Sequence, residues 1–227
     1  MRGYANTIYP QLVDEIITKG EKVNTRNGYS IELHPSFNEF HNIRQRYIST
    51  KGRMINLPFA LAETVWILSG DNSVERVGFY NSRIADIASD NGVDFNAAYG
   101  HRIRHEFGID QLKDVLLKLK DKNTRQALFI YSSPKGDASY VETKDRACNI
   151  SSMFLIRNGV LNLTQTIRSN DVILGLPYNL VQFTTLQEVI AEVIGVYPGT
   201  FYHLANSLHL YDHDFCLLYT SPSPRDS

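Results

Sequence analysis

Apolar residues recur at helical spacing over residues 4–19, where Leu12, Val13, Ile16 and Ile17 share one face and Gly20 offers a stop. Val23 to Pro35 reads as extended chain, with a turn at Arg26-Asn27-Gly28. Leu57 to Leu68 is an almost wholly apolar helix closed by Ser69-Gly70, and a second helix is expected from Ser73. Ile109 to Leu119 is amphipathic; Asp121 to Thr124 breaks it, and Gln126 to Ser132 predicts a strand. Further on, Leu174-Gly175-Leu176-Pro177 predicts a tight turn. Phe183, Leu186, Val189, Ile190, Val193 and Ile194 predict one helix face, and Tyr202 to Asp214 a closing strand. Helices and strands that interleave without repeat or linker predict one α+β domain with a mixed or antiparallel sheet packed against helices.

The sharpest local signal is Asn158-Gly159 between two alternating runs, Ser151 to Arg157 and Val160 to Ser169, which predicts a two-residue hairpin. Arg157 then faces Val160, and unbroken pairing sets Cys148 opposite Ser169 and Asn149 opposite Arg168. Directly opposed residues lie ~5 Å apart and diagonal ones ~7–8 Å, so a guanidinium comes within reach of a thiol. A neighbouring cation favours the thiolate, which is the nucleophilic form. The bland alternative is a buried structural cysteine.

Composition narrows the function. The 227 residues suffice for one domain or at most two, and a formal net charge of -1 exerts no pull toward nucleic acid. No apolar run reaches the ~18 residues of a membrane span. Two cysteines form no disulfide framework and the N-terminus lacks a signal-peptide core, so a cytoplasmic protein is expected. The final stretch, Ser221 to Ser227, is polar and proline-rich, and the run from Cys216-Leu217-Leu218-Tyr219-Thr220 onward resembles translated adapter sequence. The expected division is therefore a catalytic domain over 1–215, incomplete at its C-terminus, and a non-native tail over 216–227.

Several residues could carry chemistry. Glu63 lies inside an apolar helix, where desolvation raises a carboxyl pKa toward a range useful for proton transfer; a helix-edge glutamate reaching water is the alternative. Arg26, Arg125 and Arg168 sit beside turns or strand ends and could converge on a phosphate, although each alone reads as a surface charge. Asn179 could read a carbonyl beside an N–H, as on uracil, or simply cap a helix. His209, Tyr211 and His213 alternate on one strand face, and His203 lies nearby, but no flanking acidic or thiol pattern supports a metal. Glycine-rich phosphate loops of the G-x-x-x-x-G-K-[ST] or G-x-G-x-x-G type are absent.

These segments together resemble the thymidylate synthase family, which includes the pyrimidine nucleotide hydroxymethylases. The run Arg168-Ser169-Asn170-Asp171-Val172-Ile173-Leu174-Gly175-Leu176-Pro177-Tyr178-Asn179 is close to that family's R-S-x-D-x-x-L-G-x-P-[FY]-N block. His209-Leu210-Tyr211 is similar to its H-x-Y strand, Glu63 with Trp66 to its E-x-x-W helix, and Tyr99-Gly100 to its Y-G pair. The resemblance implies a homodimeric transferase that moves a one-carbon unit from 5,10-methylenetetrahydrofolate to C5 of dUMP, giving dTMP and dihydrofolate without a metal. Under it Cys148 adds to C6, and Asn179 bonds O4 and N3–H. Arg26, Arg168 and Ser169 hold the 5′-phosphate, with Arg125 reaching across from the second subunit. His209 and Tyr211 bind the 3′-hydroxyl; Asp171, Leu174, Gly175 and Tyr178 line the folate site; Glu63, with Tyr99, belongs to the catalytic set and orders the water that moves protons. Three positions depart from the pattern. Asn149 follows the nucleophile where histidine is usual, Arg83 to Ser89 lacks the folate-stacking tryptophans, and Gln126 replaces a second phosphate arginine. A hydroxymethylase acting on dUMP or dCMP, and an inactive nucleotide-binding homologue, are the alternatives.

Overall fold

The computed structural model describes residues 1–25, 28–50, 55–84, 89–138 and 141–215. In chain order the elements are β1 (Arg2–Gly3), α1 (Ala5–Lys19), β2 (Glu21–Thr25), β3 (Gly28–Leu33), β4 (Ser36–Phe40), α2 (Leu57–Ser69) and α3 (Val74–Tyr80). There follow α4 (Tyr99–His101), which runs into a π-helical stretch Arg102–Glu106, α5 (Gln111–Lys118), β5 (Leu128–Ile130), β6 (Asn149–Arg157), β7 (Val160–Ile167), β8 (Asn170–Asp171), α6 (Leu176–Ile194), β9 (Tyr197–Ala205) and β10 (Leu208–Tyr211). The result is the expected α+β fold.

Six strands form one sheet in the order β1-β4-β9-β7-β6-β5, and four form a second in the order β2-β3-β10-β8. Pairing is mixed: β6 and β7 are antiparallel, while β7 and β9 are parallel. A parallel neighbour needs a long crossover, and α6 supplies it by packing on β7 and β9. Leu161, Leu163, Phe154 and Phe201 of the large sheet, and Leu176, Leu180, Phe183 and Ile190 of α6, make the centre of the core.

This apolar face is crossed by polar residues on adjacent strands at the same level. Cross-strand pairing aligns Asn38 with His203, His203 with Gln165, and Gln165 with Ser152, and all four are fully or almost fully buried. A transverse row of buried polar groups demands hydrogen-bond partners inside the protein. It interrupts the apolar face, which resumes at Ile167 on β7 and Ala205 on β9.

Three sequence expectations are corrected. The Asn158-Gly159 hairpin forms with both residues at positive φ, 53° and 76°, and Arg157 faces Val160, but the register slips between Ser151 and Asn149. Ile150 is the extra residue of a bulge, and its carbonyl accepts from both Tyr131 N and Ser132 N, at 2.9 and 3.5 Å. Asn149 therefore faces Ile167, and Cys148 meets Arg168 rather than Ser169. The expected closing strand is two strands in different sheets, β9 and β10, joined through Asn206 and Ser207. Finally, α6 begins at Leu176, and its buried stripe runs through Leu180, Phe183, Gln187 and Ile190. Val193, at 64% exposure, and Val189 face outward, because Gln187 takes the core position that an apolar count passes over.

Tyr99 and Gly100 reach the core by direct backbone packing on α2. A Cβ on Gly100 would lie 2.3 Å from the Ile67 carbonyl oxygen and 2.7 Å from its Cα. Gly100→Ala is predicted to lower stability by about 1–3 kcal/mol through overpacking against rigid backbone. Urea unfolding measures this, and an unchanged midpoint would contradict the close approach.

Candidate active site

The loop carrying Cys148 is organised from below by a buried ion pair. Arg102, fully buried at the start of the π-helical stretch, donates Nη1 to Asp137 Oδ2 at 2.7 Å and Nη2 to Asp137 Oδ1 at 2.9 Å. Its remaining donors reach the Tyr131 carbonyl at 2.6 Å and the Asn96 carbonyl at 3.1 Å. Asp137 also accepts from Ser133 N at 2.7 Å and Ala147 N at 3.4 Å. Burial works against this carboxylate, yet the bonds from Arg102 and Ser133 outweigh it and hold the pKa below the ordinary value. Thus β5, the 133–137 turn and the residue before Cys148 are tied to one guanidinium.

From above, Arg168 fixes the same loop. Its backbone N–H donates to the Cys148 carbonyl at 2.8 Å, its Nε to the Ala147 carbonyl at 2.8 Å and its Nη2 to the Arg146 carbonyl at 3.2 Å. Cys148 is half-buried, with Sγ 4.0 Å from the Arg146 carbonyl. Arg168 therefore meets Cys148 through its backbone N–H, by a different register, while its guanidinium is taken up by the Ala147 and Arg146 carbonyls. The rest of the Arg168 side chain is exposed, and Ser169 beside it is half-buried.

Behind the thiol, Asn149 N donates to the Tyr99 hydroxyl at 3.4 Å. Burial, followed by the neighbouring Cys148 charge, pushes the Tyr99 phenol upward, so it stays neutral. The Asn149 side chain accepts from Gln165 Nε2 at 2.7 Å; Gln165 Oε1 bonds Ser152 Oγ, which bonds Tyr131 OH at 2.6 Å. The unexpected asparagine is therefore held by the polar row of the sheet.

Glu63 lies on the buried side of α2 between Ala60 and Ile67. It lines a cavity of about 180 Å³ with Trp66, Tyr99, Asp145 and Gln182. Burial raises its pKa to about 8, against one lowering hydrogen bond from Gln182, and its Oε2 is buried without a partner. Asp145, nearby, is also raised by burial although Ala97 N donates to it at 2.7 Å.

Asn179, half-buried in the first turns of α6, donates Nδ2 to Asn170 Oδ1 at 3.3 Å. Asn170 Nδ2 in turn lies 2.8 Å from His203 Nε2. Asp171 Oδ1 caps the turn before α6 by accepting from Ile173 N at 2.6 Å and Leu174 N at 3.0 Å. Leu174 is 56% exposed beside it. A Cβ on Gly175 would lie 2.3 Å from Asn170 Oδ1, so glycine makes room for that amide. The Tyr178 hydroxyl accepts from Asn56 N at 3.1 Å, and its ring meets Phe59 edge-on at 5.5 Å, tying α6 to the start of α2.

His209 and Tyr211 stand together on β10 with ring centroids 4.8 Å apart. Burial lowers the His209 pKa, although the Asp171 and Glu32 carboxylates oppose it. His213 leaves the strand for a 3-10 turn and stacks on Tyr211 at 5.3 Å. Arg125 is exposed on the loop between α5 and β5. Arg26, and residues 85–88 of the segment that lacks tryptophan, lie outside the described residues. Among the described residues no group of three or more His, Cys, Asp and Glu could hold a metal ion. No described helix is long and apolar enough to cross a membrane.

Sequence reasoning missed Arg102, Asp137, Asn170 as an amide partner, Gln165 and the role of His203. Their available signal was weak: Gln165 and His203 each occupy an inward position of an alternating strand where a hydrophobic residue is expected.

A sequence model of the family described as thymidylate synthase matches residues 7–221. A deoxyuridylate hydroxymethyltransferase of Bacillus phage SP01 is 38% identical over 220 residues, covering 92% of this chain and 57% of that protein. The protein of the same name from Pseudomonas phage M6 is 32% identical over 209 residues, covering 89% and 58%. A putative thymidylate synthase of Methanococcoides burtonii is 35% identical over 143 residues, covering 62% and 64%. In fold, the crystal structure of thymidylate synthase from T4 phage matches with a TM-score of 0.78 at 24% identity, covering 95% of this chain and 81% of that one. The chain spans 57% and 58% of the length of the two phage relatives.

The Glu63 environment has a direct consequence for stability. The folded carboxyl keeps its proton to about pH 8, whereas the unfolded one loses it near 4.5. Between those values the folded state binds more protons, so stability falls as pH rises through this window. Glu63→Gln is predicted to remove that slope and to be more stable than the parent at pH 9. Urea midpoints at pH 5 and pH 9 measure it, and parallel pH profiles of the two proteins would contradict the buried, protonated carboxyl.

Proposed function

Because the chain belongs to the thymidylate synthase family, we propose that it transfers a one-carbon unit to C5 of dUMP with Cys148 as nucleophile. The observation that carries this reading is the double clamp on the cysteine loop, by Arg102 through Asp137 from below and by Arg168 from above. It presents a half-buried thiol at the edge of a polar site. The Cys148 thiolate forms a bond to C6 while the C5–C6 π electrons move toward C5 and O4. An Asn179 N–H preplaced at O4 stabilises that developing enolate, and its Oδ1 accepts from N3–H, which favours uracil. In the proposed assignment Arg26, Arg168 and Ser169 bind the 5′-phosphate, joined by Arg125 of the partner subunit in a homodimer, a role its exposed position allows. His209 and Tyr211 take the 3′-hydroxyl.

When bound, 5,10-methylenetetrahydrofolate supplies the one-carbon unit. In the proposed assignment exposed Leu174, with Asp171, Gly175 and Tyr178, would line the folate site, and Glu63, whose Oε2 is buried without a partner, lines a cavity with Tyr99. A carboxyl held near neutrality by burial can exchange a proton with a water on the substrate side.

Two products can leave the exocyclic methylene formed at C5. Addition of water gives a hydroxymethyl group and leaves the folate as tetrahydrofolate; hydride addition gives a methyl group and oxidises it to dihydrofolate. We favour water. The phage relatives carry that activity in their names, and the stretch Arg83 to Ser89 has no tryptophan to stack on folate. The methyl product is the second reading, supported by the methanogen relative named as a putative thymidylate synthase.

Mass spectrometry of the product from dUMP and methylenetetrahydrofolate is predicted to show 5-hydroxymethyl-dUMP, with no product from Cys148→Ala. Formation of dTMP with dihydrofolate would establish the second reading instead. Turnover by Cys148→Ala would exclude both.

A further inference from the structure

Asn179 cannot read a base reliably by itself. Its amide has one acceptor and one donor end of nearly equal shape, and half a turn about χ2 exchanges them. In one orientation it offers N–H toward O4 and oxygen toward N3–H, matching uracil. In the other it offers oxygen toward an exocyclic amine and N–H toward an unprotonated N3, matching cytosine. Whatever fixes that half turn sets the substrate.

We propose that Asn170 and His203 are positioning residues that lock the Asn179 amide in its uracil-reading orientation through a buried relay. This rests on the reading of Asn179 as the base-recognising group. Asn170 is 3% exposed and His203 is fully buried. Asn179 Nδ2 donates to Asn170 Oδ1, which leaves Asn170 Nδ2 to donate to His203 Nε2 at 2.8 Å. His203 must then be the neutral tautomer with Nε2 unprotonated. Burial keeps the ring neutral, holding the pKa near 4, and the Asn170 amide donor selects the tautomer although Nδ1 is buried without a partner. Reversing the relay would need a proton on Nε2, an Asn170 amide turned over and an Asn179 amide turned over, all together. Gly175 completes the device: any Cβ there would meet Asn170 Oδ1 at 2.3 Å and displace the acceptor. Around the ring, Asn38 and Gln165 are its cross-strand neighbours and Phe40 meets it edge-on at 6.4 Å.

Isothermal titration with dUMP and with dCMP tests this on the chain without folate or turnover, reading the ratio of the two dissociation constants. The parent is expected to prefer dUMP. Asn170→Leu, which can neither accept nor donate, is expected to reduce that preference at least about tenfold, because it leaves the Asn179 amide free to turn over. Asn170→Asp still accepts from Asn179 Nδ2 and is expected to keep the preference, an outcome that a purely structural role would not give, since it buries a charge. His203→Phe leaves the Asn170 amide unpinned and is expected to lower the ratio too; it decides the matter if Asn170→Leu does not fold. Thermal melts establish folding of each variant. Folded Asn170→Leu and His203→Phe variants that keep the parent ratio, losing affinity for both nucleotides equally or for neither, would overturn the relay alone. A parent that binds neither nucleotide would overturn the functional reading on which it rests.

Discussion

The buried pair between Arg102 and Asp137 is the constraint on which the site depends. A guanidinium removed from water must place its donors on acceptors of the protein, and Arg102 places them on Asp137 and on the Tyr131 and Asn96 carbonyls. Removing one partner of such a pair leaves an uncompensated buried charge, at a cost on the order of 3–5 kcal/mol. Four segments distant in sequence are therefore fixed relative to one another: α4 with its π-helical continuation, the end of β5, the 133–137 turn and the entry to β6. Cys148 lies at the point where the last of these meets Arg168.

The polar row across the large sheet does complementary work. Four strands place Asn38, His203, Gln165 and Ser152 at one level of their buried face. Gln165 and Ser152 extend toward the cysteine through Asn149, and His203 extends toward Asn179 through Asn170. Cys148 and Asn179 thus stand beside two separate buried hydrogen-bonded chains that start from adjacent strands of the sheet. Their hydrogen bonds hold the Asn149 and Asn179 amides, while Asn149 Nδ2 and His203 Nδ1 remain buried without partners.

Much of this was legible in the residues. The Asn-Gly turn specified the hairpin and seven of its pairs, because only positive φ at both positions suits that turn. Long periodic segments such as α1 and α2 were found with boundaries near the observed ones. The family resemblance was legible too, from one dense block of twelve residues. The Ile150 bulge was not, because it arises from carbonyl sharing with β5, a contact between segments some twenty residues apart. Nor was the division of the closing strand: Asn206-Ser207 favours a turn, but the transfer of β10 to a second sheet is set by its pairing with β3 and β8. Arg102 and Asp137 carry no local pattern; only tertiary structure makes them partners.

The thiol chemistry can be tested without waiting on the identity of the product. Incubation of the chain with 5-fluoro-dUMP and methylenetetrahydrofolate, followed by proteolysis and peptide mass spectrometry, reads out which residue bonds to C6 when the fluorine at C5 blocks completion. A covalent adduct on the peptide bearing Cys148, absent from Cys148→Ser, is the predicted result. An adduct on the peptide bearing Cys216, or none on a folded chain that binds the nucleotide, would contradict it.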